Sequence, residues 1–163
     1  MCIRDRIGSP NGARFIYDGD GSDYGRRGPG ASDDIEEVFE DFFDDEDLAS
    51  ISTPFDGRSD YGGFIERGIA AGGLFSGAES TKSAELAEIY GGEADVPFDA
   101  CYHRACDDLD NIDPILFVEL SRAAARATEA LGDGNFTLSP GGARMGVAEW
   151  SFGTCGDHGR HTH

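Results

Sequence analysis

Positive charge is scarce in this sequence: 13 lysines and arginines stand against 32 aspartates and glutamates, a formal net charge of −19. A surface of that sign repels phosphate backbones and anionic lipid headgroups, so neither nucleic acid nor a membrane surface is an expected partner. Long apolar runs are missing too, and none approaches the roughly 20 residues that a bilayer-spanning helix needs. No charged opening followed by an apolar stretch, the pattern of a secretory signal, stands at the start of the chain. What remains is 39% apolar and 28% charged in 163 residues, which fits one globular domain of ordinary size and not a disordered chain. The first six residues, Met1–Arg6 (MCIRDR), read as a leader foreign to the protein, of the kind an adapter leaves on a translated fragment. On that reading the native sequence begins at Ile7, Cys2 is incidental, and upstream sequence is missing, so the absent signal carries no weight.

Strands and helices alternate along the rest. Ala13–Tyr17 is a short apolar, aromatic run closed by Asp18-Gly-Asp-Gly21, a buried strand running into a loop. Ile35, Val38, Phe39, Phe42 and Phe43 recur at the spacing of one helical face. Ser32 or Asp33 is the expected cap of that helix, Asp34, Glu36 and Glu37 suit the positive end of its dipole, and the acids on the other face are expected to be solvated. The pattern breaks between Leu48 and Gly57 at Pro54 and Gly57, a short helix is expected over Tyr61–Glu66, and Ile69–Phe75 suits a second buried strand. Thr81–Gly92 is polar and gives no clear element. The strongest helix runs from Asp113, a natural N-cap, through Pro114 to Leu131, with Gly132 as its stop. Leu116, Leu120, Ala123, Ala124, Ala127 and Leu131 share the face that should pack on a sheet. From Asp133 to His163 the chain is polar and glycine-rich and reads as a tail. The alternation points to a layered α/β fold, and two clear strands make a meagre sheet.

Three stretches offer chemistry. Cys101-Tyr-His-Arg-Ala-Cys106-Asp107 holds a histidine between two cysteines. The cysteines could close a small loop by a disulfide, or they and His103 could be metal ligands. The spacing is not that of a zinc finger, because no second ligand pair follows at the usual distance. Asp56-Gly-Arg-Ser-Asp-Tyr-Gly62 places Arg58 beside Gly57, where a ligand can approach the backbone and meet a planar fork suited to a carbonyl or carboxylate. A turn carrying a surface ion pair is the plainer reading of the same residues. Asp18-Gly-Asp-Gly-Ser22 imitates the start of a calcium loop but has Asp23 where the glycine is obligatory and Pro29 where a glutamate is needed, so it reads as a turn. In the tail, Cys155 and three histidines could hold a metal adventitiously, although a terminus without function is the reading preferred.

Four motifs occur in an order that carries a resemblance: Ile7-Gly-Ser-Pro-Asn11, Phe55-Asp-Gly-Arg-Ser-Asp-Tyr-Gly62, Ala71-Gly-Gly-Leu-Phe-Ser-Gly-Ala-Glu79 and Cys101-Tyr-His-Arg-Ala-Cys-Asp107. Together they make the chain, over roughly 7–131, resemble the secreted bacterial two-zinc aminopeptidases of clan MH, metallopeptidase family twenty-eight. The resemblance implies a three-layer α/β zinc-exopeptidase fold of which only the C-terminal half is here, at 7–132, between the leader at 1–6 and the tail at 133–163. It implies removal of N-terminal residues, preferably large and apolar, from peptide substrates, with two zinc ions as cofactor. It also implies roles: His103 as the last zinc ligand, Tyr102 as the phenol that stabilises the oxyanion, and Cys101–Cys106 as a small disulfide. Gly57 and Arg58 would position the substrate's N-terminal end, and Phe75 would wall the pocket for the first side chain. Asp5 stands at the register of another zinc ligand, inside the suspected leader. An earlier histidine, a bridging aspartate and paired glutamates would come from upstream, so the chain alone is expected to be inactive. A carboxypeptidase or other amidohydrolase of the clan, and a metal-free acidic module of the same fold, are the rival readings.

Overall fold

The computed structural model describes residues 1–132, with residues 3–5 described by their backbone alone; the expected tail at 133–163, with Cys155 and its histidines, lies outside the described residues. In chain order the elements are β1 (Cys2–Asp5), β2 (Phe15–Tyr17), α1 (Ser32–Asp45), β3 (Ile51–Thr53), α2 (Gly62–Ile65), β4 (Gly72–Phe75), α3 (Ala84–Tyr90) and α4 (Pro114–Gly132). The strands form one mixed sheet in the order β1-β4-β2-β3. β1 runs parallel to β4, with Cys2 opposite Gly72 and Asp5 opposite Phe75. β2 is antiparallel to β4, pairing Phe15 with Phe75, and parallel to β3.

Two strands go beyond the sequence expectation. β3 falls in the stretch read as a break, and β1 is supplied by the segment read as a leader. Strands of three or four residues carry too few positions to show a period, and what makes them strands is the neighbour they pair with.

The helices follow their patterns more closely. Asp113 Oδ1 accepts the N–H groups of Ile115 and Leu116 at 2.9 and 3.1 Å, the N-cap expected of it. Its expected face is buried at Leu116, Leu120, Ala123, Ala124 and Ala127, with Leu131 partly buried beside them. α3 fills the undecided stretch 81–92, capped by Ser83, whose hydroxyl accepts from Leu86 N–H. At α1 the cap departs from expectation. Ala31 occupies the N-cap without a side-chain bond, while Ser32 Oγ donates to Pro29 O at 2.7 Å and accepts Ala71 N–H at 3.0 Å. The hydroxyl fastens the approach to β4 against the helix start and is not free to cap. Nor is the acidic face of α1 wholly solvated, since Asp34 and Glu36 are buried.

α1 and α4 lie together on one face of the sheet. Their apolar stripes meet Ile16 and Leu74 in a core of Ile35, Val38, Phe39, Phe43, Leu116, Leu120 and the α4 alanines. Gly72 permits this closeness, because a Cβ there would stand 2.4 Å from Ile35 Cγ2. The other face carries a smaller cluster of Tyr17, Phe55, Tyr61 and Ala71, backed by Ile65 of α2. The sheet is therefore the middle of three layers, α1 and α4 on one side and α2 with aromatic loops on the other. The outer side of α4 stays apolar and open: Ile115, Phe117 and Val118 are 71%, 44% and 54% exposed. This strip adjoins the loop leaving β1, where a Cβ on Gly8 would meet Ile112 and Phe117. Among the described residues, β1 has β4 as its one strand neighbour, and no helix is long and apolar enough to cross a membrane.

Candidate active site

The motifs converge where β1 and β4 end and β2 begins. Ser9 and Ser76, both buried, tie the loops after β1 and β4 together: their hydroxyls lie 2.8 Å apart, Ser9 N–H donates to Ser76 Oγ, and Ser9 Oγ donates to Gly77 O at 2.6 Å. Gly77 has φ 102° and packs so closely that a Cβ would stand 2.4 Å from Phe98. Asn11 reads the backbone of 93–97, donating from Nδ2 to Glu93 O at 2.9 Å and accepting Glu93 N–H at 2.9 Å. Lys82, almost wholly buried, donates to Gly12 O and Gly91 O; burial depresses its ammonium below the ordinary range. These bonds fix the segment that leads into the cysteine loop.

That loop is closed by a Cys101–Cys106 disulfide with Cα atoms 5.3 Å apart, within the span a disulfide permits. His103 sits inside it at φ 55°, a left-handed conformation that costs a residue with a Cβ about 1 kcal/mol. Its imidazole lies against Tyr102, ring centroids 4.0 Å apart, and the Arg6 guanidinium lies 4.2 Å from the Tyr102 ring centroid.

Facing it is the 55–62 turn. Gly57, at φ 85°, donates its N–H to Tyr61 Oη at 2.8 Å, and Tyr61 Oη donates to Asp56 Oδ1 at 2.8 Å. Burial, reinforced by the bond to Asp56, pushes the Tyr61 phenol up to about 12. Asp56 Oδ1 also accepts Arg58 N–H at 2.9 Å. Arg58 reaches out of this turn to Glu79, Nη2 to Oε1 2.6 Å, and its partner raises its pKa further.

A cavity of about 210 Å³ opens between them, walled by Phe15, Tyr17, Phe75 and Phe98, with Arg58, Tyr102 and Arg6 among its polar lining. An adjoining cleft of about 430 Å³ shares Arg6, Arg58 and Tyr102 and adds Gly57 and His103. Five of the residues singled out in the sequence, Gly57, Arg58, Phe75, Tyr102 and His103, therefore line these two hollows, which have Arg58 and Tyr102 in common. An aromatic pocket opens at one end onto donors and an imidazole, an arrangement able to seat an apolar side chain and address the polar group beside it. Asp5 ends β1 opposite Phe75, and only its backbone is described. Phe15, Phe98, Arg6 and Asp99 were not singled out. Phe15 reads as core, Arg6 lies in the suspected leader, and Phe98 and Asp99 just precede a motif without belonging to its quoted part. Their common signal was proximity to the cysteine loop in space, which the sequence does not display.

Zinc finds few ligands here. His103 offers an imidazole, yet the grouping of three ligand-bearing side chains among the described residues lies elsewhere: Asp18, Asp20 and Glu36, with ligand atoms within 4.8 Å of one another. Asp18 follows β2 at the end of the sheet where β4 begins, whereas Asp5 and Phe75 mark the opposite end. Those acids are also engaged locally. Asp18 accepts Gly21 and Tyr24 N–H, and Glu36 accepts Gly19 and Asp20 N–H. The residues present thus make an incomplete zinc site.

Comparison with known proteins bears on this hollow. The family described as peptidase family M28 matches residues 4–128. Leucine aminopeptidase 2 of Arthroderma otae is 52% identical over 124 residues, 76% of this chain and 25% of that protein. The probable leucine aminopeptidase 2 of Aspergillus oryzae is 51% identical over 123 residues, again 76% and 25%. Leucine aminopeptidase 2 of Trichophyton equinum is 44% identical over 160 residues, 94% of this chain and 32% of that protein. All three relatives are fungal, and the chain spans between a quarter and a third of their lengths.

Proposed function

The chain belongs to peptidase family M28, and from that premise we propose that it is the C-terminal part of the catalytic domain of a secreted, zinc-dependent aminopeptidase. Its substrates are peptides with a large apolar first residue. The observation that carries this reading is the pair of adjoining hollows, which gathers Phe75, Arg58, Tyr102 and His103 from three separate motifs. The aromatic end seats the first side chain. Arg58 and the Gly57 backbone orient the substrate's N-terminal end, and the Tyr102 hydroxyl donates where negative charge develops on the peptide carbonyl oxygen. Zinc, when bound, supplies Lewis acidity to such hydrolysis. His103 and Asp5 are this chain's contribution to holding it, and the remaining ligands and the general base belong to further sequence of the parent. Three features support a missing partner half: the share of the relatives that is matched, the one-sided pairing of β1, and the open apolar strip of α4. The disulfide supports an oxidising, extracellular setting.

The test is release of leucine from a leucyl anilide. The isolated chain is expected to be inactive with zinc supplied, and to become active when joined to the upstream half of a close relative. In that joined protein, His103→Ala should lower both zinc retention and turnover. Tyr102→Phe should keep the metal and lower kcat, because it removes a donor to the transition state and not a ligand. Zinc-dependent turnover by the isolated chain would refute the fragment reading. Full activity after His103→Ala would refute the ligand assignment, and a joined protein that folds but never turns over would favour a metal-free module.

A further inference from the structure

A disulfide between cysteines five positions apart gives the 101–106 loop its shape but does not attach it to the rest of the molecule. The attachment comes from Asp99. Its carboxylate is 2% exposed, and both oxygens are used: Oδ1 accepts Cys101 N–H at 2.8 Å and Asn111 Nδ2 at 3.0 Å, and Oδ2 accepts from the Arg6 guanidinium. Its backbone is engaged as well, with its N–H donating to Ala78 O at 2.8 Å just beyond β4 and its carbonyl receiving Tyr102 N–H at 3.4 Å. Arg6 also lies over the Tyr102 ring, and Asn111 reaches on to Asp107 at 3.4 Å. One buried carboxylate thus touches both the entrance of the loop and the segment that follows it, and it grips the cation resting on Tyr102. Burial alone would raise its pKa, but the bonds from Asn111, Cys101 and Arg6 outweigh that and hold it below the ordinary carboxylate value.

We propose that Asp99 is a positioning residue: it fixes where the Cys101–Cys106 loop sits and thereby aims Tyr102 and His103 into the hollow. The left-handed backbone of His103 makes such an anchor necessary, because a strained residue holds its conformation only where its surroundings over-determine it. The functional consequence rests on the aminopeptidase reading, whereas the anchoring itself does not.

The experiment therefore uses the 163-residue chain, without metal or substrate, and reads amide hydrogen exchange together with the His103 ring-proton NMR shifts. Asp99→Ala should speed exchange over Cys101–Asp107 at least tenfold and move the His103 resonances, while amides of α4 around Leu120 stay within twofold. Asp99→Asn keeps an acceptor for Cys101 N–H and should restore most of the protection. Arg6→Met should leave exchange of Cys101 within twofold, since the Cys101 and Asn111 bonds remain. Unchanged exchange in the loop would overturn the proposal, and so would a uniform rise across loop and α4, which would mark Asp99 as a general stabiliser. Should Asp99→Ala not fold, Asp99→Ser, whose single shorter hydroxyl cannot hold Cys101, Asn111 and Arg6 together, decides instead: faster exchange confined to Cys101–Asp107 with shifted His103 resonances supports the anchor, and unchanged or uniformly faster exchange overturns it. None of these readings depends on catalysis, so the proposal and the peptidase reading fail separately.

Discussion

The helix-covered face of the sheet and the sheet end that carries the hollow are built by different means. Under α1 and α4 the core is aliphatic and phenylalanine-rich, assembled from two long amphipathic stripes, and non-directional burial supplies most of its stability. At the end of the sheet where β1 and β4 finish and β2 begins, the hollow and its loops are held by named hydrogen bonds: Ser9 to Ser76, Asn11 to Glu93, Lys82 to two carbonyls, Tyr61 to Gly57 and Asp56. Where helices provide periodic burial, substitutions should cost in proportion to the volume removed. Where polar bonds shape loops, they should cost little overall stability and much local geometry. A rigid scaffold carrying adaptable loops is a common way to place functional side chains.

The contrast can be broken most severely at Leu120, which is fully buried at the centre of α4. Leu120→Ala should destabilise the fold by about 2–5 kcal/mol, read as a lowered midpoint in urea, and should leave the aromatic hollow intact until the whole chain unfolds.

The next effect sharpens the comparison by means of pH. Glu36 faces away from the helical core toward the loop after β2, and burial, aggravated by Glu40 and Asp20, pushes its carboxyl up to about 7. Its folded pKa is above the unfolded value of 4.5, so the folded state holds the proton more tightly. Stability from this residue is present below about pH 4.5 and is lost as pH rises toward 7. Glu36→Gln keeps an acceptor for Gly19 and Asp20 N–H and removes the charge. The variant should match wild type near pH 4 and exceed it at pH 8 by on the order of 3 kcal/mol, measured by denaturation at both pH values. A constant difference across pH would show that the carboxyl titrates normally.

The smallest expected change in stability is at Tyr61→Phe, which removes the hydroxyl that accepts Gly57 N–H and donates to Asp56. About 1 kcal/mol should be lost, with faster hydrogen exchange confined to 56–58. If exchange instead rises under α4, the helical core and the hollow are not separate units.

How much of this was legible in the sequence differs between the same two regions. The α1 and α4 stripes were readable because a helix repeats its contact every three or four residues, so Leu116, Leu120 and Ala127 announce a shared face before any partner is known. The Asp113 cap was readable for a similar reason, its bonds reaching two and three residues along the chain. β1 and β3 were not, because a three- or four-residue strand is defined by the neighbour it pairs with. The burial of Glu36 was not legible, because the backbone it binds, at Gly19 and Asp20, lies 17 and 16 residues away. In the site, motif order brought Gly57, Arg58, Phe75, Tyr102 and His103 to attention, whereas Asp99 escaped notice because Arg6, one of its partners, lies 93 residues away.

The sequence by itself determined the acidic surface, the two long helices, the α/β class and the family, since each depends on composition, on local periodicity or on motifs kept in order. Only the tertiary structure decided that the loop ends of β1 and β4 and the start of β2 share one hollow, that Arg6 lies on Tyr102, and that Asp99 anchors the loop carrying His103. Those outcomes depend on which distant segments touch, and a contact such as that of Arg6 with Asp99, 93 residues apart, is fixed by the packing of the whole sheet and by no local pattern along the chain.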